Sequence, residues 1–440
     1  MPEAAAPPQD PAAQVPPRQL LGLLTLAAIV GLVVSVAAFC FLEAVHWTSQ
    51  WVYDDLPDAL GFDRVPVWWP LPVLFVAGLI VAFAILRMPG RGGHVPALGL
   101  NASPTAPIEL PGVMVAAVGG LGLGVVLGPE APLLALGGGL GILAIQLVRR
   151  DAPPQVVTVL AASGSLAALS FIFESPVIAA VIVIEASGIG GPQATMLLLP
   201  GLTAAAVGSL LSLGLGSWTG VDTSDYALGS LTLPHLARPD IVDFAWTIPL
   251  AIAIAVGVYV IRRIALSLLP LVRSRELVLL PLAGLAVAGL AIAFSQMEDK
   301  PVSQVLFSGE TALPTLVSGA GTWTVGALVL LVLFKGLAWA ISLASFRGGP
   351  IFPALFLGAA AGLAASHLAG FAETAAIAVG MGAAVVAILQ LPLSAVILAV
   401  LLTGQPGYGA TPLIIVGVVV AYVTTRALSA RDDSAPAPAR

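Results

Sequence analysis

After Arg18 the next charged residue is Glu43, and after Glu373 the next is Arg426. Apolar runs recur along the chain, at about 19–45, 68–87, 113–127, 131–148, 156–173, 176–189, 194–216, 243–265, 277–295, 323–345, 351–369, 374–390, 392–403 and 410–428. A hydrocarbon core about 30 Å thick takes about 20 apolar residues to cross as a helix. A single run can be a signal peptide; ten or more cannot. In lipid each backbone polar group needs an internal partner, so the runs are read as helices. The expected fold class is an all-α polytopic membrane protein embedded in a lipid bilayer. Composition agrees: 9% of residues are charged, against about 25% in soluble domains.

Several runs are too short to span alone, and 47 Gly and 36 Pro are spread through them. That points to broken and re-entrant helices packed through small residues. No segment is basic and aromatic enough for nucleic acid. Cys40 is the single cysteine, so no intrachain disulfide can form. The four histidines, His46, His94, His235 and His367, lack metal-ligand spacing, and neither His-Glu-x-x-His nor Gly-x-Ser-x-Gly occurs. The expectation is no metal, no cofactor and no enzymatic activity; an intramembrane enzyme is the alternative from another class.

Residues 1–18 are Pro/Ala-rich and read as a disordered N-terminal tail. Residues 19–428 form the transmembrane domain, and 429–440 a short cytoplasmic tail without a regulatory domain. Arg18, Arg87, Arg91, Arg149, Arg150, Arg262, Arg263, Arg273, Arg275, Arg426 and Arg431 mark one side. Asp54, Asp55, Asp58 and Asp63, and then Asp222, Asp225 and Asp240, mark the other. Because arginine favours the cytoplasmic side, both termini are expected there, in the cell membrane. Trp47, Trp51, Trp68 and Trp69 read as interfacial belts.

The chain repeats itself. Pro132 to Gly141 matches Pro353 to Gly362, 221 positions on, and Ser175-Pro176-Val-Ile matches Leu391-Pro392-Leu-Ser, 216 positions on. The halves run over about 19–216 and 243–428. Interrupted segments in matching places of two inverted-topology repeats point to a binding site near the bilayer midplane.

Glu130 is a lone carboxylate in an apolar run, inside Gly128-Pro129-Glu130-Ala131-Pro132. Proline suits the first turn of a helix, so Glu130 is placed in a break just ahead of a helix opening at Pro132. Unpaired N–H groups there attract anions, and an intramembrane acid is functional by default. Arg347-Gly348-Gly349-Pro350-Ile351-Phe352-Pro353 is the counterpart, with Pro353 opening the helix, and Arg91-Gly92-Gly93-His94-Val95-Pro96 is a third break. Three such helix openings make a neutral nest of amide dipoles. A fixed Lys or Arg would hold a halide too tightly, whereas dipoles allow entry and exit.

These motifs resemble the CLC family of chloride channels and proton-coupled chloride exchangers over about 19–428. Gly128-Pro129-Glu130-Ala131-Pro132 is similar to the family's Gly-(Lys/Arg)-Glu-Gly-Pro, whose glutamate is the external gate. Gly348-Gly349-Pro350-Ile351-Phe352-Pro353 resembles Gly-Gly-x-Phe-x-Pro, whose amides hold the central anion. The resemblance implies a homodimer with one pore per subunit, carrying chloride or a similar small anion. It implies Glu130 as the gate, and Gly92, Gly93, His94, Gly128, Pro129, Gly349, Pro350, Ile351 and Phe352 around the anion.

Three departures bear on coupling. Gly93 stands where the family has a serine ligand, followed by His94. The exchangers' inner glutamate falls ten residues after the helix-opening proline, which here is Ala186, with Glu185 one place earlier. One step is a rotation of about 100°, so Glu185 is no simple substitute. No tyrosine follows Tyr422, where the family's pore-gating tyrosine belongs. Weakly coupled or channel-like flux is therefore expected, with a proton/chloride antiporter as the alternative. Lys335 is expected to snorkel or to pair with an acid, Glu174 to cap the helix after Pro176, and Glu185 to pair at the inner surface.

Overall fold

The computed structural model describes residues 16–100, 104–188, 192–219 and 229–433. Residues 1–15 and 434–440 of the expected tails, and Asp222 and Asp225, lie outside these. The expected all-α fold is observed. In order the helices are α1 (Pro17–Gln50), α2 (Leu56–Ala59), α3 (Pro70–Arg87), α4 (Leu110–Leu121), α5 (Glu130–Val148), α6 (Pro154–Phe173), α7 (Pro176–Ser187) and α8 (Pro192–Thr219). Then come α9 (Ile241–Ser274), α10 (Glu276–Glu298), α11 (Ala312–Ser318), α12 (Val325–Ser345), α13 (Ile351–Ala365), α14 (Glu373–Leu389), α15 (Pro392–Thr403) and α16 (Thr411–Asp433). Among the described residues nine helical stretches are long and apolar enough to cross a membrane, whereas α7, α13, α14 and α15 have only 10–17 residues each. These short helices are the broken segments anticipated from Gly and Pro.

Boundaries differ from expectation where backbone chemistry outweighs hydropathy. A π-helical turn, Trp51–Asp55, carries α1 on into α2. The apolar run 113–127 is helical only to Leu121, because glycines follow and Gly124 takes φ +101. Helix α16 continues past 428 to Asp433. Ser175, not Glu174, caps α7: its hydroxyl accepts from the Ile178 amide at 3.3 Å. Glu174 instead ends α6 in a left-handed conformation, and its carboxylate accepts from Ser212 Oγ at 3.5 Å.

The described residues pack as two compact units. One comprises 16–39, 104–107 and 133–219; the other comprises 40–100, 108–132 and 229–433. The units therefore do not follow the sequence repeats, since 40–100 and 108–132 join the second-half helices.

Among the helix pairs that meet through glycine, one in each unit matches the other. In the first, a Cβ on Gly137 of α5 would strike the carbonyl oxygen of Gly164 on α6, and one on Gly141 would strike that of Leu160. In the second, a Cβ on Gly358 of α13 would strike the carbonyl of Gly380 on α14, and one on Gly362 that of Ala376. Gly137 and Gly358, like Gly141 and Gly362, are 221 apart; Gly164 and Gly380, like Leu160 and Ala376, are 216 apart. These are the two offsets of the sequence repeat. Small residues bring backbones close where no hydrophobic gain separates helix from lipid. The helix ends repeat too: Glu174 (φ +50) and Gln390 (φ +58) both turn left-handed ahead of a proline.

Candidate anion site

Helix α5 begins at Glu130 itself and α13 at Ile351, each two residues earlier than the expected openings at Pro132 and Pro353. Pro132 and Pro353 each sit third in their helix. A proline is tolerated there because the first N–H groups have no intrahelical acceptor. Before each helix runs a short extended segment, and the two segments pair. The Gly128 amide donates to the Gly349 carbonyl at 2.8 Å, and the Gly349 amide donates back at 2.6 Å. This is a single antiparallel bridge.

Glu130 is fully buried. One carboxylate oxygen accepts from the Ile351 amide, and the Phe352 amide also faces it. Its other oxygen, Oε2, has no hydrogen-bond partner. The carboxylate rests over the two bridge glycines: a Cβ on Gly128 would meet Oε2, and one on Gly349 would meet Cδ and Oε1. Thus the N-terminus of α13, which favours negative charge, is filled by a side chain of this same chain. The loop before Glu130 is fixed on several sides. Phe307 donates its amide to the Gly124 carbonyl at 3.0 Å, Ser342 Oγ accepts from the Val126 amide at 3.3 Å, and Tyr53 donates to the Leu123 carbonyl at 3.0 Å.

The third expected break behaves differently. Pro96 opens only a three-residue 3-10 turn, Pro96–Leu98, not a helix. The Gly93 amide donates to the Gly90 carbonyl at 2.9 Å and is therefore committed. Gly93 takes φ +97 and Gly92 φ +73, conformations that a side chain would strain. His94 Nε2 bonds the Gly99 carbonyl oxygen at 2.8 Å. Burial pushes its imidazole below the ordinary value, opposed by that bond and reinforced by Arg347.

Two of the cavities in this unit are lined by ionisable side chains. One of 490 Å³ is lined by Leu127, Pro129, His46, Asp54, Gln304 and Glu310, among others. Glu310 Oε1 is buried without a partner, and burial together with the charge of Glu130 holds its carboxyl well above the usual range. The other, of 750 Å³, is lined by Gly93, His94, Arg91, Glu276, Arg273 and Arg347, among others. Arg91 pairs with Glu276 at 3.0 Å.

Arg347, 7% exposed, lies in the loop that leads to Gly349. One expectation about a cation is overturned. Lys335 neither snorkels nor pairs with an acid. Its ammonium donates to the carbonyls of Gln304 (3.1 Å), Val305 (3.2 Å), Leu306 (3.0 Å) and Phe307 (3.2 Å). It also sits 4.5 Å from the centroid of the Phe356 ring. The turn's carbonyls converge there, so no carboxylate is needed.

Sequence reasoning gave no role to Glu310, Arg347, Tyr53 or Ser342. The signal for Arg347 was present, an ionisable side chain against a Gly-Gly pair between two apolar runs. For Tyr53 and Ser342 there was none, because their bonds join distant parts of the chain.

A family model described as "Voltage gated chloride channel" matches residues 96–426. The "Putative ion-transport protein YfeO" of Salmonella newport (strain SL254) is 32% identical over 359 residues, covering 79% of this chain and 80% of that protein. The protein of the same name from Salmonella typhimurium matches equally. Among solved structures, a slow cyanobacterial Cl−/H+ antiporter superposes with a TM-score of 0.75 at 21% identity, covering 94% of this chain and 96% of that one. A CLC-type fluoride/proton antiporter gives 0.70 at 17% identity, covering 94% and 98%.

Proposed function

The chain belongs to the voltage gated chloride channel family and moves anions across a membrane, and from that premise we propose that Glu130 is its gate. The observation that carries the proposal is the Glu130 carboxylate held by the Ile351 amide above Gly128 and Gly349. A carboxylate there stands in for the anion: charged, it fills the site; protonated, it loses its attraction to the helix end and leaves the site to a halide. Amide dipoles at the start of α13 then bind the anion firmly enough to strip water yet loosely enough to release it.

The transported ion is chloride or a similar small anion. Flux is weakly coupled to protons or channel-like, because position 186 of α7 is an alanine, with Glu185 one step round the helix, and Gly93 has no hydroxyl to offer. Proton/anion exchange is the second reading, favoured by the two antiporters that share the fold. The protein works as a homodimer in the cell membrane with both termini cytoplasmic, the side marked by Arg87, Arg149 and Arg426.

The deciding experiment imposes opposed chloride and proton gradients on proteoliposomes and reads the reversal potential and internal pH. A reversal potential near the chloride equilibrium value is expected. Uphill proton movement at fixed stoichiometry selects the exchanger. In the same vesicles Glu130→Gln should make anion flux insensitive to external pH; retention of wild-type pH dependence removes Glu130 from the role.

A further inference from the structure

Arg347 is the buried cation whose bonding is least complete. One terminal nitrogen donates to the carbonyl of its own neighbour, Phe346, at 3.1 Å. Its Nε is buried without an acceptor. One carboxylate of the same cavity, Glu276, is engaged by Arg91 at 3.0 Å. The stem is held against the glycine loop: a Cβ on Gly92 would lie 3.5 Å from Arg347 Cγ. A guanidinium placed so carries its charge at neutral pH, since burial lowers it only to about 10, with Glu276 opposing and Arg273 and Arg91 reinforcing the shift. Burying a charge without a full set of partners is costly, and the Arg347 side chain lines a 750 Å³ cavity.

We propose that Arg347 is a fixed anion ligand in this cavity and that its planar fork biases the pathway toward small planar oxyanions, such as nitrate, over halides. The fork presents parallel donors that match two oxygens of a trigonal anion, whereas a spherical halide uses one direction at a time. The cavity is roomy and also holds Glu109, Glu276, Arg91, Arg273 and His94. The acids temper the attraction, so an anion drawn to Arg347 can leave again. This location, two residues before the bridge glycine Gly349, makes Arg347 the waiting point before the gate site. The inference rests on the reading of this unit as an anion pathway with Glu130 as its gate.

The test uses full-length protein in the Glu130→Gln background, where the gate no longer responds to pH, and compares nitrate and chloride at graded concentrations. Arg347→Lys keeps the charge but loses the fork. It should lower the nitrate-to-chloride flux ratio by roughly ten-fold, the effect of one charge-assisted hydrogen bond. Arg347→Met loses both, and half-saturation should rise for both anions. Calorimetric titration of nitrate into purified protein gives a readout independent of flux. Nitrate binding and flux ratio unchanged in Arg347→Lys overturn the oxyanion preference; unchanged half-saturation in Arg347→Met overturns the ligand itself. If Arg347→Met does not elute as a folded species, Arg347→Lys decides alone. Persistent pH dependence in Glu130→Gln removes instead the gate reading on which the inference stands.

Discussion

Gly128 and Gly349, 221 residues apart in sequence, exchange both of their backbone hydrogen bonds, and the Glu130 carboxylate rests on the pair. Neither position tolerates a side chain while Glu130 is seated, so the bridge is both scaffold and seat.

Gly349→Val tests the seat. Its side chain would fill the volume of the Glu130 carboxyl group, which is also the volume an anion needs. Flux should fall to background in the wild-type and Glu130→Gln forms alike, with expression and elution unchanged. Undiminished flux in either form would place the anion elsewhere.

Glu310 gives a pH prediction. Burial and the charge of Glu130 hold its carboxyl above the usual range, so it gains its own charge at a higher pH than an exposed carboxylate does. A charge formed in the 490 Å³ cavity then repels incoming anions. With Glu130 intact, Glu310→Gln should lessen the decline of flux as pH rises, leaving the part that Glu130 contributes. Stopped-flow halide quenching across external pH reads the difference; a decline of unchanged size in Glu310→Gln excludes this carboxyl.

Lys335→Met removes the donor shared by four carbonyls of the 304–307 turn. Each buried acceptor left unpaired costs about 1–3 kcal/mol, although a relaxed turn recovers part of the loss. A fall in detergent melting temperature of several degrees is expected. The Phe307 amide anchors Gly124, so pH-gating should blur as well. A variant that melts like wild type would make the four bonds incidental.

Much of this site was legible from composition and spacing. The apolar runs gave the membrane, the two offsets gave the repeat, and Glu130 stood out as a lone acid between prolines. What escaped was decided by partners distant in sequence. Glu130 and Ile351 begin their helices because the preceding glycines pair with each other, which neither local sequence encodes. Gly93 looked like a free amide until its bond to Gly90 was seen. Lys335 offered an apolar setting and no acid, and only the fold brings the turn at 304–307 to its ammonium.

The glycine contacts of the two helix pairs make a comparative prediction. Gly137→Ala and Gly358→Ala push the same kind of Cβ into the same kind of carbonyl. Overpacking of this sort costs about 1–3 kcal/mol. The two variants should lower melting temperature by similar amounts, measured side by side in one detergent. A large difference would mean that the repeated contact no longer bears equal strain in both places.

Position 130 of the first repeat corresponds to position 351 of the second, and the Ile351 amide is the donor that holds Glu130. Contacts between equivalent positions are the mark of an isologous dimer. The centre of this protein is thus built as two half-length chains would build it, each offering its partner a helix start. Such a dimer of identical halves would carry an acid on both sides or on neither, and two facing carboxylates would repel. The single glutamate opposite isoleucine is what a fused gene permits and a homodimer does not: each half can drift apart from its twin, leaving one to supply the charge and the other the cradle.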